Sequence, residues 1–281
     1  MKQCFFISDL HGHIDRYEKL IKEIREHQPE LVFFGGDLLP HGMKRNLKDD
    51  FTDSYLFSKF NNLMEEMGDD YPRVYLILGN DDPWPEEKKF IELGKTGVWQ
   101  YLHNRKDTYA DFTFYGYANV PPTPFRYKEW ERYDVSRFVD PGCIAPEDGY
   151  HSEENKVDFA FATIKDELKA LTSDDPMDKS VFIFHSPPYK TFLDRAALDG
   201  QMVDHVPMDV HVGSIAIMRF IKERQPWLTM HGHIHESSRI TGQWRQQFGI
   251  TNACSAAWHG PELALVEFDL DDPSNARRRI I

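Results

Sequence analysis

QCFFISDLHGH, residues 3–13, sets a pattern that the rest of the chain repeats. Gln3–Ser8 is a compact run of apolar, β-forming residues, and Asp9 and His11 follow it directly. From Ile14 to Ile24, apolar residues then recur at helical spacing. The order is therefore strand, polar loop, helix, and the loop holds two side chains that can bind a metal ion.

Four further apolar runs end in polar residues in the same way. A series of strands that each end in a polar cluster is typical of an α/β sheet with a site at the carboxyl ends of its strands. We therefore predict an α/β fold with one site at that edge. The four runs are Leu31–Phe34 before Asp37, Arg73–Leu78 before Asn80, Ser180–Phe184 before His185, and Trp227–Met230 before residues 231–236, HGHIHE.

The remaining periodicity predicts the other elements of the fold. Further strands are expected within 98–117, and three more at about 237–269 with a turn at Gly242. Helices are predicted at 51–67, 155–171 and 214–224, the last with Ser214 as its N-cap.

The length of 281 residues is compatible with a single elaborated domain, 1–281, that buries a large core. Residues 118–155 are rich in proline, glycine, charge and aromatic side chains. This composition favours an ordered insertion or lid over a site rather than a flexible linker, with a plain surface loop as the alternative.

Charge and cysteine content narrow the classes of partner. With 46 acidic against 33 basic residues, the net charge of -13 repels polyanions, so nucleic acid is an unfavourable partner. The three cysteines, Cys4, Cys143 and Cys254, are far apart in sequence, which indicates reduced thiols and a cytoplasmic protein, although a disulfide pairing is left open. The sequence shows neither a signal peptide nor an apolar run of ~20 residues, so no membrane association is expected.

The polar residues at the strand ends point to metal chemistry as a set. An Asp or Asn after a strand is by itself more often a turn former or a cap, and the histidines of residues 231–236 alone leave a structural zinc site or a chance cluster open. Mixed imidazole and carboxylate ligands suit zinc, manganese or iron. The lack of thiolates argues against an all-cysteine zinc site.

The order and spacing of these motifs resemble the binuclear metallophosphoesterase family, also called calcineurin-like phosphoesterases. The resemblance implies two mixed β-sheets packed face to face with flanking helices, a four-layer α/β fold. A narrower resemblance, in residues 185–188 and 211–214, is to a branch that includes cyclic nucleotide phosphodiesterases. The matching motifs are Asp9-x-His11, Gly36-Asp37, Gly79-Asn80, His185 and Gly232-His233-x-His235.

The resemblance also implies a set of metal ligands. Two divalent or trivalent ions, manganese, iron or zinc, are expected, with Asp37 as the bridge between them. A hydroxide formed between the ions would attack phosphorus in line. The other implied ligands are Asp9, His11 and His235 for one ion, and Asn80, His185 and His233 for the other.

One position departs from the family pattern. The residue after the asparagine ligand is commonly a histidine that assists the leaving oxygen, and here it is Asp81. A carboxylate near metals is a poor general acid unless burial raises its pKa. Asp81 is therefore expected either to act as a weak acid or water-ordering group, or to have no role and leave the enzyme dependent on good leaving groups. The second outcome is favoured. Asp82 is expected to contact a ligand histidine from outside the metal centre.

Several other side chains are weaker candidates for a role in the site. His231 matches no family ligand and is expected to be structural. Isolated basic residues such as Lys190 and Arg195 are usually solvated, although either could contact a phosphate. Aromatic residues of a loop more often pack the loop down than stack on a base. The aromatic candidates are Trp84, Phe125, Tyr127 and Trp130.

The sequence thus predicts a cytoplasmic, metal-dependent hydrolase of small phosphoesters, with diesters, including cyclic nucleotides, favoured over monoesters. The first alternative is a non-catalytic scaffold of the same fold that binds a protein partner, and the intact ligand set argues against it. The second is a metal-dependent nuclease, which the absence of a basic track for nucleic acid disfavours.

Overall fold

The computed structural model describes residues 2–41, 50–152 and 157–281. Two six-stranded mixed sheets pack face to face, as the sequence predicted, with helices flanking them. Aromatic side chains fill the space between the sheets. The Phe33 ring of the first sheet lies 5.4 Å from Phe114 of the second and 5.7 Å from its own neighbour Tyr75, measured between ring centroids.

The first sheet has the strand order β14-β13-β1-β2-β3-β4. Its strands β1 to β4 run parallel, whereas β13 is antiparallel to both β1 and β14. The strands are β1 (Gln3–Ile7), β2 (Leu31–Gly35), β3 (Arg73–Ile77), β4 (Gln100–Tyr101), β13 (Ala264–Asp269) and β14 (Asp272–Ile280).

The second sheet has the order β11-β12-β10-β7-β6-β5. Strands β6, β7, β10 and β12 run parallel, and each edge strand is antiparallel to its neighbour. A separate two-stranded hairpin joins β8 (Met202–Val203) and β9 (Val206–Pro207). The strands of the sheet are β5 (Arg105–Tyr109), β6 (Phe112–Tyr117), β7 (Ser180–Phe184), β10 (Leu228–His231), β11 (Arg245–Phe248) and β12 (Thr251–Ser255).

Six α-helices connect the strands of the described residues. A π-helix, Phe51–Phe57, leads into α2, and short 3-10 helices occur at Gly68–Asp70 and Pro146–Asp148. None of the helices in the described part of the chain combines the length and apolar character needed to cross a bilayer. The α-helices are α1 (Ile14–His27), α2 (Ser58–Met67), α3 (Trp84–Gly94), α4 (Ile164–Thr172), α5 (Ile215–Arg224) and α6 (Ser237–Thr241).

Two boundaries differ from the sequence prediction. The helix expected from residue 155 begins only at Ile164, because Thr163 is its N-cap and accepts a hydrogen bond from the Asp166 amide at 3.1 Å. Residues 155 and 156 lie outside the described residues. The three strands expected at about 237–269 are confirmed, but Gly242, at φ 71°, ends helix α6 in left-handed backbone.

Residues 118–152 pack on the loops at the carboxyl ends of the strands, and residues 153–155 of the predicted insertion lie outside the described residues. The Trp130 indole is fully buried and donates a hydrogen bond to the Asp82 carbonyl oxygen at 2.7 Å. Lys128 and Glu131, also buried, pair at 2.6 Å within the segment. Its function as a lid over the site stays a prediction.

All three cysteines are free thiols. Cys4 and Cys254 are buried, and burial raises the pKa of Cys254 to about 12. The expectation of reduced thiols is thus confirmed, and neither buried thiol is suited to nucleophilic chemistry.

Candidate metal centre

The candidate ligands lie on strained backbone at the strand ends. Four of them have left-handed φ angles: Asp9 (59°), His11 (47°), Asp37 (54°) and His233 (72°). Residues other than glycine rarely adopt this conformation, and such strain concentrates at functional sites. Backbone hydrogen bonds between the loop after β1 and the loop after β2 stabilise this conformation. One of them runs from the Asp9 amide to the Gly36 oxygen, at 3.0 Å.

The first ligand group contains Asp9, His11 and His235, whose ligand atoms lie close enough to share one ion. The Asp9 Oδ1 and His235 Nε2 atoms are 3.3 Å apart, and the Nε2 atoms of His11 and His235 are 3.2 Å apart. Both Asp9 side-chain oxygens also accept a hydrogen bond from the His233 amide, at 3.0 and 3.2 Å. These bonds connect the loop after β1 to the loop after β10.

The second ligand group contains Asp37, His185 and His233. The His185 Nε2 atom lies 3.3 Å from Asp37 Oδ2 and 3.0 Å from Asn80 Oδ1. Asp37 Oδ2 also lies 3.8 Å from His11 Nε2 of the first group. The Asp37 carboxylate therefore stands between the groups, and the structure brings all seven predicted side chains together.

A backbone carbonyl fixes the orientation of His185. Its Nδ1 atom lies 2.7 Å from the Gly35 oxygen, so Nδ1 carries the hydrogen and donates it. The Nε2 atom is then left facing the candidate ligands. This arrangement, with one ring nitrogen bound to a carbonyl and the other available, is typical of metal-binding histidines.

The buried carboxylates require compensating positive charge. Burial disfavours the charged form of Asp9, but His235 and His185 together lower the pKa of Asp9 to about 2. Burial acts on Asp37 in the same way, but His185, His11 and the Asp81 amide together hold the pKa of Asp37 well below its usual range.

The same interactions favour the protonated forms of two histidines of the cluster. Burial alone would lower the pKa of His185, but Asp37 raises it to about 10. Asp9 likewise raises the pKa of His235 against burial. His185 Nε2 and His235 Nε2 face the carboxylates, and metal cations bound there would supply the same positive charge. The donor set, four imidazole rings, two carboxylates and the Asn80 amide oxygen, fits zinc, manganese or iron.

Two glycines allow the loops to approach this closely. A Cβ at Gly79 would lie 2.2 Å from Asp37 Oδ1 and 2.7 Å from His185 Cε1. A Cβ at Gly232 would lie 2.0 Å from the Ser8 Oγ atom and 2.8 Å from Asp9 Oδ2. Glycine before Asn80 and before His233 is therefore a steric requirement of the cluster.

Asp82 holds backbone rather than a histidine, in contrast to the sequence expectation. Its Oδ2 atom accepts the Leu38 amide at 3.1 Å and the Gly79 amide at 2.9 Å, and its Oδ1 atom accepts the Leu39 amide at 2.7 Å. These amides flank Asp37 and Asn80 in sequence. Because a buried carboxylate satisfies three amides, it ties the second and third loops together.

Asp81 borders the centre from the solvent side. Burial, followed by the charge of Asp37, raises the pKa of Asp81 to about 7 in the absence of metal. Bound cations act in the opposite direction and favour the carboxylate. The burial that a general acid needs is thus present, but a loaded centre would keep Asp81 ionised.

Two contributors were missed at the sequence level. Arg16, in the first turn of α1, donates a hydrogen bond from Nη1 to the Asp9 carbonyl oxygen at 2.6 Å, and so supports the strained loop. His41 stacks on His11 with ring centroids 4.6 Å apart. The position of Arg16, a charged residue on the buried face of α1, could have indicated its role from the sequence. No motif marks His41.

The weaker candidates lie away from the ligands or have structural roles. His231 is buried, with Nδ1 2.9 Å from the Ser186 oxygen and Nε2 2.9 Å from Thr229 Oγ1, which fits the predicted structural role. Arg195 pairs with Asp199. Trp84 packs on Trp130 at 4.5 Å between centroids, and Phe125 is 62% exposed.

Comparisons with known proteins identify the family of the chain and solved structures with a similar fold. The sequence profile described as "Calcineurin-like phosphoesterase" matches residues 4–237. The solved structure of TT1561 from Thermus thermophilus has a TM-score of 0.59 at 16% identity, over 99% of this chain and 98% of that chain. A further solved structure has a TM-score of 0.59 at 17% identity, over 100% and 98%. At such identities the likeness shows the fold alone. No curated protein matches the sequence.

Proposed function

The chain belongs to the calcineurin-like phosphoesterase family of metal-dependent phosphoester hydrolases, and we propose that it hydrolyses small phosphodiesters at a centre for two metal ions. The observation that carries the proposal is the position of Asp37. Its Oδ2 atom lies 3.3 Å from His185 Nε2 and 3.8 Å from His11 Nε2, between the two ligand groups. One carboxylate in this place can serve both ions.

The ligand sets follow from these contacts. Asp9, His11 and His235 would hold one ion, and Asp37 would be shared. Asn80, His185 and His233 would hold the other ion, with His185 oriented by the Gly35 oxygen. When bound, two such ions would supply the Lewis acidity that ionises water near neutral pH and neutralises phosphoryl charge.

The chain's own residues keep this centre rigid. Asp82 accepts backbone amides from the loop after β2 and from the loop after β3. Asp9 accepts the His233 amide from the loop after β10. Arg16 holds the carbonyl of Asp9. Preorganisation of this kind places the ligands before substrate arrives, so that little reorganisation is needed in the transition state.

The negative charge of Asp81 at the exposed side of the metal centre favours phosphodiesters over phosphomonoesters as substrates. Asp81 lies next to His11 and Asp37 on the exposed side of the centre, with a third of its side chain accessible. An ionised Asp81 repels a doubly charged monoester more strongly than a singly charged diester. The net charge of -13 further disfavours nucleic acid, so a small diester, such as a cyclic nucleotide, is the proposed substrate.

Metal content and substrate preference test the proposal together. The protein is expected to bind about two manganese, iron or zinc ions per chain after metal supplementation, as measured by inductively coupled plasma mass spectrometry. It should hydrolyse bis-p-nitrophenyl phosphate with a higher kcat/KM than p-nitrophenyl phosphate, and a chelator should abolish both rates. Less than half an ion per chain would favour the scaffold alternative, and a preference for the monoester would contradict the substrate class.

A further inference from the structure

Asp81 contacts three of the candidate ligands. Its backbone amide donates to Asp37 Oδ1 at 2.8 Å. Its Oδ1 atom accepts the Asn80 side-chain amide at 3.3 Å, which leaves Asn80 Oδ1 facing His185. Its Oδ2 atom lies 3.7 Å from His11 Nδ1. One residue thus reaches ligands of both groups.

The His11 ring has an unsatisfied nitrogen on this side. His11 is 8% exposed, and its Nδ1 atom has no hydrogen-bond partner among the described residues. The opposite nitrogen, Nε2, faces His235 and Asp37. If Nε2 binds a metal, the neutral ring carries its hydrogen on Nδ1, and a buried N–H group needs an acceptor. Asp81 Oδ2 faces that nitrogen, at a distance that a small side-chain rotation would shorten to a hydrogen bond.

His41 closes this group from the solvent side. Its Nδ1 atom lies 3.1 Å from the same Asp81 Oδ2 atom. Its ring stacks on the His11 ring, with centroids 4.6 Å apart and an interplanar angle of 12°. His41 therefore restrains both the Asp81 carboxylate and the plane of the His11 ring, while half of its own side chain remains exposed.

We propose that Asp81 is a positioning residue of the metal centre, which accepts the His11 Nδ1 hydrogen and orients Asn80, with His41 holding it in place. This role differs from both outcomes that the sequence allowed for Asp81. Carboxylates that accept the outer N–H of a metal-binding histidine fix the ring and raise its basicity, and their loss typically lowers metal affinity 10- to 100-fold. The inference rests on the proposed metal centre.

Equilibrium binding of Mn²⁺ tests the proposal without reference to catalysis. Free Mn²⁺ is measured by electron paramagnetic resonance during titration of the metal-free wild type and of Asp81→Ala, Asp81→Asn and His41→Ala. Asp81→Ala is expected to weaken the binding of at least one Mn²⁺ ion by about 10- to 100-fold. Asp81→Asn keeps an acceptor oxygen and should recover part of this affinity, and His41→Ala should lose less than Asp81→Ala.

A matched control removes the same charge elsewhere. Asp69 is exposed and precedes β3, at the sheet edge opposite the ligands, so Asp69→Asn should keep wild-type affinity. Unchanged Mn²⁺ affinity in Asp81→Ala would overturn the positioning role. A third Mn²⁺ equivalent in the wild type that disappears in His41→Ala would also overturn it, in favour of a third cation site. A wild type that binds no Mn²⁺ and also retains less than half an ion of iron or zinc per chain would refute the proposed metal centre itself, and the positioning role with it.

Discussion

Asp37→Asn is expected to lower kcat/KM for bis-p-nitrophenyl phosphate by about 10³-fold or more, since several kcal/mol of charge stabilisation depend on the shared carboxylate. The change is nearly isosteric. Asparagine tolerates the left-handed backbone that Asp37 adopts at φ 54°. The side-chain oxygen of the new asparagine can still accept the hydrogen bond from the Asp81 backbone amide, which lies 2.8 Å from Asp37 Oδ1 in the wild type. What changes is the second oxygen, which becomes an NH₂ group where His185 and His11 approach.

The fold should survive this substitution, which makes the activity loss interpretable. Circular dichroism and the melting temperature of the metal-free protein check the fold, and elemental analysis should show a reduced metal content. The conservative change Asp69→Asn again serves as the control, with full activity expected. If Asp37→Asn retained wild-type kcat/KM, a carboxylate shared between two ions could not be part of the mechanism.

The convergence of the candidate ligands was predictable because it follows largely from strand geometry. Parallel strands bring their carboxyl ends to one edge of a sheet, so the residues after β1, β2 and β3 converge in the first sheet and those after β7 and β10 converge in the second. The packing of the two sheets then brings the two edges together. Asp9, Asp37 and His185 each occupy that position in sequence. Their chemical type then limits what the edge can bind.

His41 could not be found in this way, because its contact depends on the path of the loop after β2. It lies four residues beyond Asp37, with no periodicity or motif around it, and only the folded loop places its ring on His11. The role of Asp82 was equally inaccessible. An acidic residue in a turn gives no sign of which amides it will accept, and here they come from two separate loops.

The elements that sequence reasoning missed have weak apolar signals. Strand β14, Asp272–Ile280, is an edge strand with several charged residues, so alternation of apolar side chains is nearly absent. Helix α3 buries only two residues, Glu86 and Phe90, and one of them is acidic. In both cases hydrogen bonding and neighbouring packing determine the structure, and neither can be read from local periodicity.

A buried ion pair lies within residues 118–152. Lys128 Nζ lies 2.6 Å from Glu131 Oε2 and 2.7 Å from the Thr123 carbonyl oxygen. Glu131 also accepts the Thr123 amide at 2.8 Å. The side chains of the pair are 0% and 1% exposed. Burial raises the pKa of Glu131 to about 7 even though Lys128 opposes the shift. Removal of the lysine would leave a buried carboxylate without its counter-ion.

Lys128→Met is therefore expected to destabilise the protein by about 3–5 kcal/mol, because breaking a buried pair leaves an uncompensated charge. Without Lys128 the folded pKa of Glu131 lies higher still, so the folded state binds a proton that the unfolded state releases near pH 4.5. Stability of the variant then falls as pH rises through this window, and its deficit against the wild type in urea unfolding should be larger at pH 8.5 than at pH 6. The double variant Lys128→Met/Glu131→Gln removes both charges and should recover most of the loss. Equal deficits at the two pH values, or no recovery in the double variant, would show that lost packing rather than the bare carboxylate causes the effect.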